Sequence, residues 1–214
     1  MDAWTAWRQG EENSRVADGR PTAASYGASQ AGLLARFDLS GSPHRPQAYL
    51  RVTHAPAPFA QSDAAVGLGV RPVARLPVRI QAEVRATRSG GQTQVRPAAI
   101  LVTEFQPAEL PLESRLEAYA QTGWVGGDFP TAFVDGQVRI DREIVNLGAA
   151  KVRLGVGAWG GAQKFATRLD MGPGVTVDLR EAGVPARLSV DYRFRVAGNA
   201  RPGDGVAVTV STGF

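Results

Sequence analysis

The chain has 214 residues, a formal net charge of +4, 43% hydrophobic and 21% charged residues, two histidines and no cysteine. The missing cysteine removes disulfide frameworks, thiolate metal sites, iron–sulfur clusters and cysteine nucleophiles, and no run of about 18 apolar residues is present to form a transmembrane helix. Lysine occurs only at Lys151 and Lys164, so arginine carries the positive charge; without a block of like charges this reads as compositional bias, and no nucleic-acid partner is expected.

The length suits one unit. Residues 1–25 form an N-terminal segment in which Ala3 to Gln9 supply either a strand or a short helical turn, and residues 26–214 form the main body. The stretch 1–20 has no basic region followed by an apolar core. The chain is therefore either cytosolic or preceded by an upstream export signal.

Period-two alternation begins at Leu33, Ala35, Phe37 and Leu39, whose opposite phase includes Arg36 and Asp38. Ala48, Leu50 and Val52 then alternate with Gln47, Tyr49, Arg51 and Thr53, and Ala64, Val66, Leu68 and Val70 follow. In residues 78–87 every position obeys the rule, with Val78, Ile80, Ala82, Val84 and Ala86 against Arg79, Gln81, Glu83, Arg85 and Thr87. Residues 95–104 are muddled, because Pro97 interrupts the run and Ile100 and Val102 fall on the polar phase.

The pattern resumes with Leu116, Ala118 and Ala120 against Arg115, Glu117, Tyr119 and Gln121, then Val138 and Ile140 against Gln137, Arg139 and Asp141. Val152, Leu154, Val156 and Ala158 oppose Lys151, Arg153, Gly155 and Gly157; Leu169, Met171, Val175 and Val177 oppose Arg168, Asp170, Thr176 and Asp178. Residues 187–196 are again perfect, with Leu188, Val190, Tyr192, Phe194 and Val196 against Arg187, Ser189, Asp191, Arg193 and Arg195. The chain closes on Val206, Val208, Val210 and Phe214.

Clusters of glycine, proline, serine and aspartate separate these runs, giving about eleven strands of roughly 9 to 12 residues. A strand content above half the chain indicates an all-β, antiparallel fold. Two architectures share such alternation. A soluble β-sandwich turns its apolar faces inward, whereas an up-and-down transmembrane β-barrel turns them to lipid. The strand length matches what a tilted strand needs to cross the hydrocarbon layer, and many one-sided strands call for a sheet without edges. The expectation is a porin-like barrel of about 10 to 12 strands in the outer membrane of a Gram-negative bacterium. Its terminal Val206, Val208, Val210 and Phe214 would be the insertion signal read by the barrel-assembly machinery.

In that reading Arg79, Glu83, Arg85, Arg115, Glu117, Arg139, Asp141, Arg153, Arg168, Asp170, Arg187, Asp191, Arg193 and Arg195 line the lumen. They form either a salt-bridge network that plugs a narrow barrel or an arginine-lined pore for anions such as an anionic polysaccharide. Connections at 55–62, 88–93, 123–131, 160–165 and 198–205 would be extracellular, and those at 40–46, 73–77, 105–111, 143–149 and 180–185 periplasmic. Trp124, Phe129, Phe133, Trp159 and Phe165 cluster near two extracellular loops as an interfacial girdle. In the soluble alternative, Trp124 and Trp159 would stack on carbohydrate.

His44 in a turn and His54 at a strand end fit no catalytic motif, the glycines of 155–161 are not followed by a strand-to-helix turn, and Asp135 with Asp141 is too common a pairing to indicate a glycosidase. Neither an enzyme activity nor a cofactor or metal is expected.

The runs FVDGQVRIDREI at 133–144, GVGAWGGAQK at 155–164 and RLDMGPGV at 168–175 resemble the C-terminal barrel of alphaproteobacterial outer-membrane proteins. Those barrels are similar to the channel components that follow tetratricopeptide repeats in exopolysaccharide and cellulose secretion, and to phage-adsorption receptors. The resemblance covers residues 26–214 and implies a channel or membrane anchor, with outer-membrane lipid as its surroundings.

Overall fold

Period-two alternation becomes one continuous antiparallel ladder. The computed structural model describes residues 1–9, 29–56, 60–181 and 184–213. Among them lie the strands β1 (Asp2–Arg8), β2 (Gln30–Asp38), β3 (Gln47–Ala55), β4 (Gln61–Val70), β5 (Val78–Ser89), β6 (Gln92–Thr103), β7 (Ala108–Leu110), β8 (Ser114–Val125), β9 (Thr131–Asn146), β10 (Ala150–Gln163), β11 (Ala166–Glu181), β12 (Val184–Gly198) and β13 (Gly205–Thr212), with no helix. Each strand pairs with its sequence neighbour except at β7, which pairs only with the start of β8 while β6 reaches past it to β8. β13 returns to β1 in register Ala3↔Thr212 to Arg8↔Ala207. Twelve strands therefore close into an up-and-down barrel, and the soluble sandwich is overturned because no pair of facing sheets exists to bury the apolar phases.

The register carries the alternation from strand to strand. Ala65, Gly67 and Gly69 of β4 stand opposite Arg85, Glu83 and Gln81 of β5. These partners share the interior face, whereas Val66 and Leu68, on the alternate phase, are 61% and 60% exposed. Phe37, Leu50, Val84, Ile140, Leu154, Val156, Met171, Phe194 and Val196 are likewise exposed. The muddled run in β6 is resolved by its partners. Ile100 pairs with Gln81, and Val102 with Arg79, so this strand presents apolar side chains to the interior, where Ile100 is buried.

The β5–β6, β8–β9, β10–β11 and β12–β13 connections lie at one end of the barrel; the start of β1, the end of β13 and the β2–β3, β4–β5, β6–β8 and β9–β10 connections lie at the opposite end. Gly90 and Gly91 both have positive φ, 57° and 80°, the backbone that a tight two-residue hairpin demands. Inside the barrel two glycines make room for aromatic rings. A Cβ on Gly67 would sit 2.5 Å from Tyr49 Cζ, and one on Gly157 would sit 2.5 Å from Trp159 Cη2. Both rings lie over the neighbouring glycine and are buried in the interior.

The β6–β8 seam has only five register pairs, from Ala98↔Val125 to Val102↔Gln121. Below it, the hydroxyl of Thr103 accepts from Ala120 N at 2.9 Å and donates to Ala120 O at 3.2 Å, continuing the ladder with a side chain. Thr103→Val removes both bonds while keeping the shape of the residue. Each bond is worth about 1 kcal/mol, so urea unfolding of the refolded protein should show a loss of about 1–2 kcal/mol.

Candidate functional site

Taking a charge out of water is costly unless a partner is within reach, and Asp141, Asp170 and Asp191 of the interior are almost fully buried. Pairing across strands satisfies this requirement in four groups. At the end that holds both termini, Glu104 receives Arg71 Nε and Arg79 Nε, each at 2.6 Å. Arg79 also donates to the carbonyl of Arg45 at 2.6 Å. Burial opposes ionisation of Glu104, but the hydrogen bonds from Arg79 and Arg71 outweigh it and hold the carboxyl below its ordinary value.

On the β3–β5 wall, Glu83 is the hub. It accepts from Tyr49 Oη at 2.8 Å, Arg51 Nη2 at 2.8 Å and Arg85 Nη2 at 2.6 Å. Gly67 is what allows Tyr49 to reach it. On the β8–β12 wall, Arg115 lies 3.3 Å from both Glu117 and Asp141 and 3.5 Å from Asp178. Arg153 Nε meets Asp141 at 2.5 Å. Arg187 spans Glu117 with two bonds at 3.0 and 3.1 Å and holds Asp178 at 2.7 Å. Higher on this wall Asp191 pairs with Arg139 at 2.7 Å and Arg193 at 3.5 Å. Trp159 is buried against both guanidinium groups, with Arg193 4.1 Å and Arg139 5.6 Å from the ring centroid, a cation–π arrangement in a desolvated setting.

The fourth group lies at the other end. Asp170, 1% exposed, receives Arg168 at 2.7 Å and Arg8 at 3.4 Å. The β12–β13 connection folds in against these arginines. Arg168 donates to the carbonyls of Pro202 and, at 3.2 Å, Gly203; Arg8 donates to Gly203 O at 2.9 Å, and Arg195 to Ala200 O at 2.9 Å. Ala200 is fully buried and Pro202 is buried. The connection is thus a strap held against the inner wall by three arginine side chains, from β1, β11 and β12.

All fourteen charged residues expected on the polar phase lie on the interior phase of their strands; Arg195, near one end, is exposed and bonds the carbonyl of Ala200. Val206, Val208 and Val210 point outward on β13; Phe214 lies outside the described residues. Trp159 corrects the expected girdle and the expected sugar platform. Its odd position on β10 places it inside, whereas Trp124 is on the outer face at 48% exposure, so the barrel wall separates the two rings. Sequence reading missed Arg8, Glu104 and the strap. Arg51, Tyr49 and Asp178 were legible, because each falls on the polar phase of its strand.

No protein-family model and no curated protein sequence matches the chain. Among solved structures, it is similar to the β domain of the Bordetella autotransporter Brka, at 15% identity over 99% of this chain and 96% of that one, with a TM-score of 0.50. LpxR from Salmonella typhimurium aligns at 11% identity over 100% and 99% with a TM-score of 0.48, and the NanC porin at 8% over 100% and 98% with 0.46. At these identities the likeness to the autotransporter β domain is one of fold alone.

Asp141, 1% exposed between Arg115 and Arg153, tests the pairing requirement. Asp141→Asn leaves two buried guanidinium groups short of a negative charge and should cost about 3–5 kcal/mol in detergent-refolded protein. Glu104 gives the pH dependence. Its folded value is lowered, so its contribution to stability is complete above the unfolded value of about 4.3 and disappears as pH falls through the folded value. Glu104→Gln should therefore be less stable than the parent at pH 7, with the gap narrowing below about pH 4 in urea titrations.

Proposed function

We propose that this chain is a bacterial outer-membrane β-barrel that serves as a membrane anchor with a closed interior. The observation that carries the reading is the combination of an apolar outer face with a charged interior. Val66, Leu68, Leu154, Val156, Phe194 and Val196 belong to an exposed apolar surface that continues around the barrel. Water-soluble monomers rarely expose apolar patches beyond a few hundred Å², whereas lipid is the natural surrounding for such a belt. The outward valines of β13 fit the C-terminal signal handled by barrel-assembly machinery.

The charged interior bears on the roles that the resemblance to alphaproteobacterial barrels implies. Export of an anionic polysaccharide requires a continuous passage, and the ion pairs around Glu83, Asp141 and Asp191 together with the Ala200–Gly203 strap occupy the lumen. An anchor, or a surface receptor of the phage-adsorption type, needs no passage. The closed form favours these over a standing channel.

Heat-modifiable migration after detergent refolding is expected, and a protein that stays soluble and monomeric without detergent would reject the membrane reading. In planar bilayers the parent should be electrically silent. Deleting Ala200–Gly203 together with Arg168→Ala should produce discrete ion-conducting steps, and an anion-selective current of the same size from the parent would reject the closed interior.

A further inference from the structure

Outside the interior, one nucleophile stands beside a base. His54 near the end of β3 and Ser62 near the start of β4 are direct cross-strand partners, and Ser62 Oγ lies 2.9 Å from His54 Nδ1. Both belong to the outward phase: His54 follows Val52, and Ser62 precedes Ala64 and Val66 at period two. Arg88 of β5 is the next cross-strand partner of Ser62 and is exposed on the same face. The row therefore reads His54, Ser62, Arg88 across three adjacent strands.

Its height on the barrel gives the row a chemical setting. Val52 is the last large apolar side chain on β3 below His54, at 43% exposure, and two residues of strand separate them by roughly 7 Å. The row stands at the upper edge of the apolar belt, where hydrocarbon gives way to headgroups. The acyl-ester carbonyls of a bilayer lipid lie at that level.

We propose that Ser62 and His54 form a nucleophile–base dyad that hydrolyses the acyl esters of anionic lipids, with Arg88 binding the phosphate of the headgroup. The inference rests on the membrane reading above and adds an activity to it. With the proton of His54 on Nε2, Ser62 Oγ donates to Nδ1, the arrangement that a serine needs to become a nucleophile. Oγ attacks the ester carbonyl carbon as its proton passes to Nδ1. The carbonyl-to-alcohol C–O bond breaks, the leaving oxygen takes the proton from His54, and the acyl group remains on Ser62. Water then attacks the acyl carbonyl with His54 again accepting the proton and returning it to Ser62 Oγ, so that ester and water become fatty acid and alcohol. The adjacent carboxylate, Asp63, is on the interior phase and bonds Gln61 and Thr87. The pair therefore works as a dyad, with the lipid surface supplying local substrate concentration.

The test uses the full chain, refolded in detergent and restricted to the heat-modifiable fraction. A fluorophosphonate probe should label Ser62, read by peptide mass spectrometry, and His54→Ala should lower the labelling rate by about 100-fold or more. In mixed micelles of phosphatidylglycerol the parent should release fatty acid, and Ser62→Ala should reduce release to the protein-free background. Arg88→Gln should slow release from phosphatidylglycerol by about tenfold, the effect of one lost charge-assisted bond, and leave release from a phosphate-free diacylglycerol unaffected. A folded, heat-modifiable barrel that acquires no adduct at Ser62, or whose Ser62→Ala variant releases fatty acid at the parental rate, would overturn the dyad and leave the membrane barrel standing. Failure to form a heat-modifiable species at all would overturn both.

Discussion

The molecule depends on closure of its hydrogen-bonded ladder. A strand has one row of donors and acceptors on each edge, and an open sheet of this size would leave two long rows unpaired. Return of β13 to β1 pairs the chain's first strand with its last. Once the ring is closed, alternation has one meaning: every second side chain faces a shared interior and the others face the surroundings. Position in the strand then determines the environment of nearly every residue.

That division explains the charge economy of the interior. Cross-strand neighbours are close enough for salt bridges, and arginine can bridge two or three carboxylates at once because its donors form a rigid fork. Arg115, Arg153 and Arg187 share Asp141, Glu117 and Asp178 in this way. The glycines of β4, β10 and β11 belong to the same solution, since large groups on one wall need small residues facing them. Tyr49 over Gly67 and Trp159 over Gly157 show it directly. An interior lined by paired charges and rings has the character of a polar core.

Departures from regular alternation occur where the ring needs help. Pro97 and the short pairing of β6 with β8 mark the seam, and Thr103 supplies side-chain bonds beyond the end of that pairing. The β12–β13 connection leaves the rim and binds Arg8, Arg168 and Arg195 inside. The His54–Ser62 contact is another rim feature, created by a hairpin that brings residues eight apart in sequence onto one outward row. Period two places His54 and Ser62 on the outward face, but none of these contacts follows from the period of a single strand, because each depends on which strand or loop lies beside it.

The alternating runs by themselves determined the all-β class, the approximate strand number and the identity of the two faces, because a period of two is a property of a single extended chain. They also marked Arg79, Glu83, Arg139, Asp141 and Asp191 as members of the polar face. The β6 run between Val95 and Glu104 was illegible alone, since its phase depends on Gln81 and Arg79 across the ladder. Only the tertiary structure decided which charges meet, that Trp159 stands within the lumen while Trp124 lies outside, and that a loop folds inward at one mouth. Each of those outcomes depends on register between distant strands, and register is set by the ring as a whole.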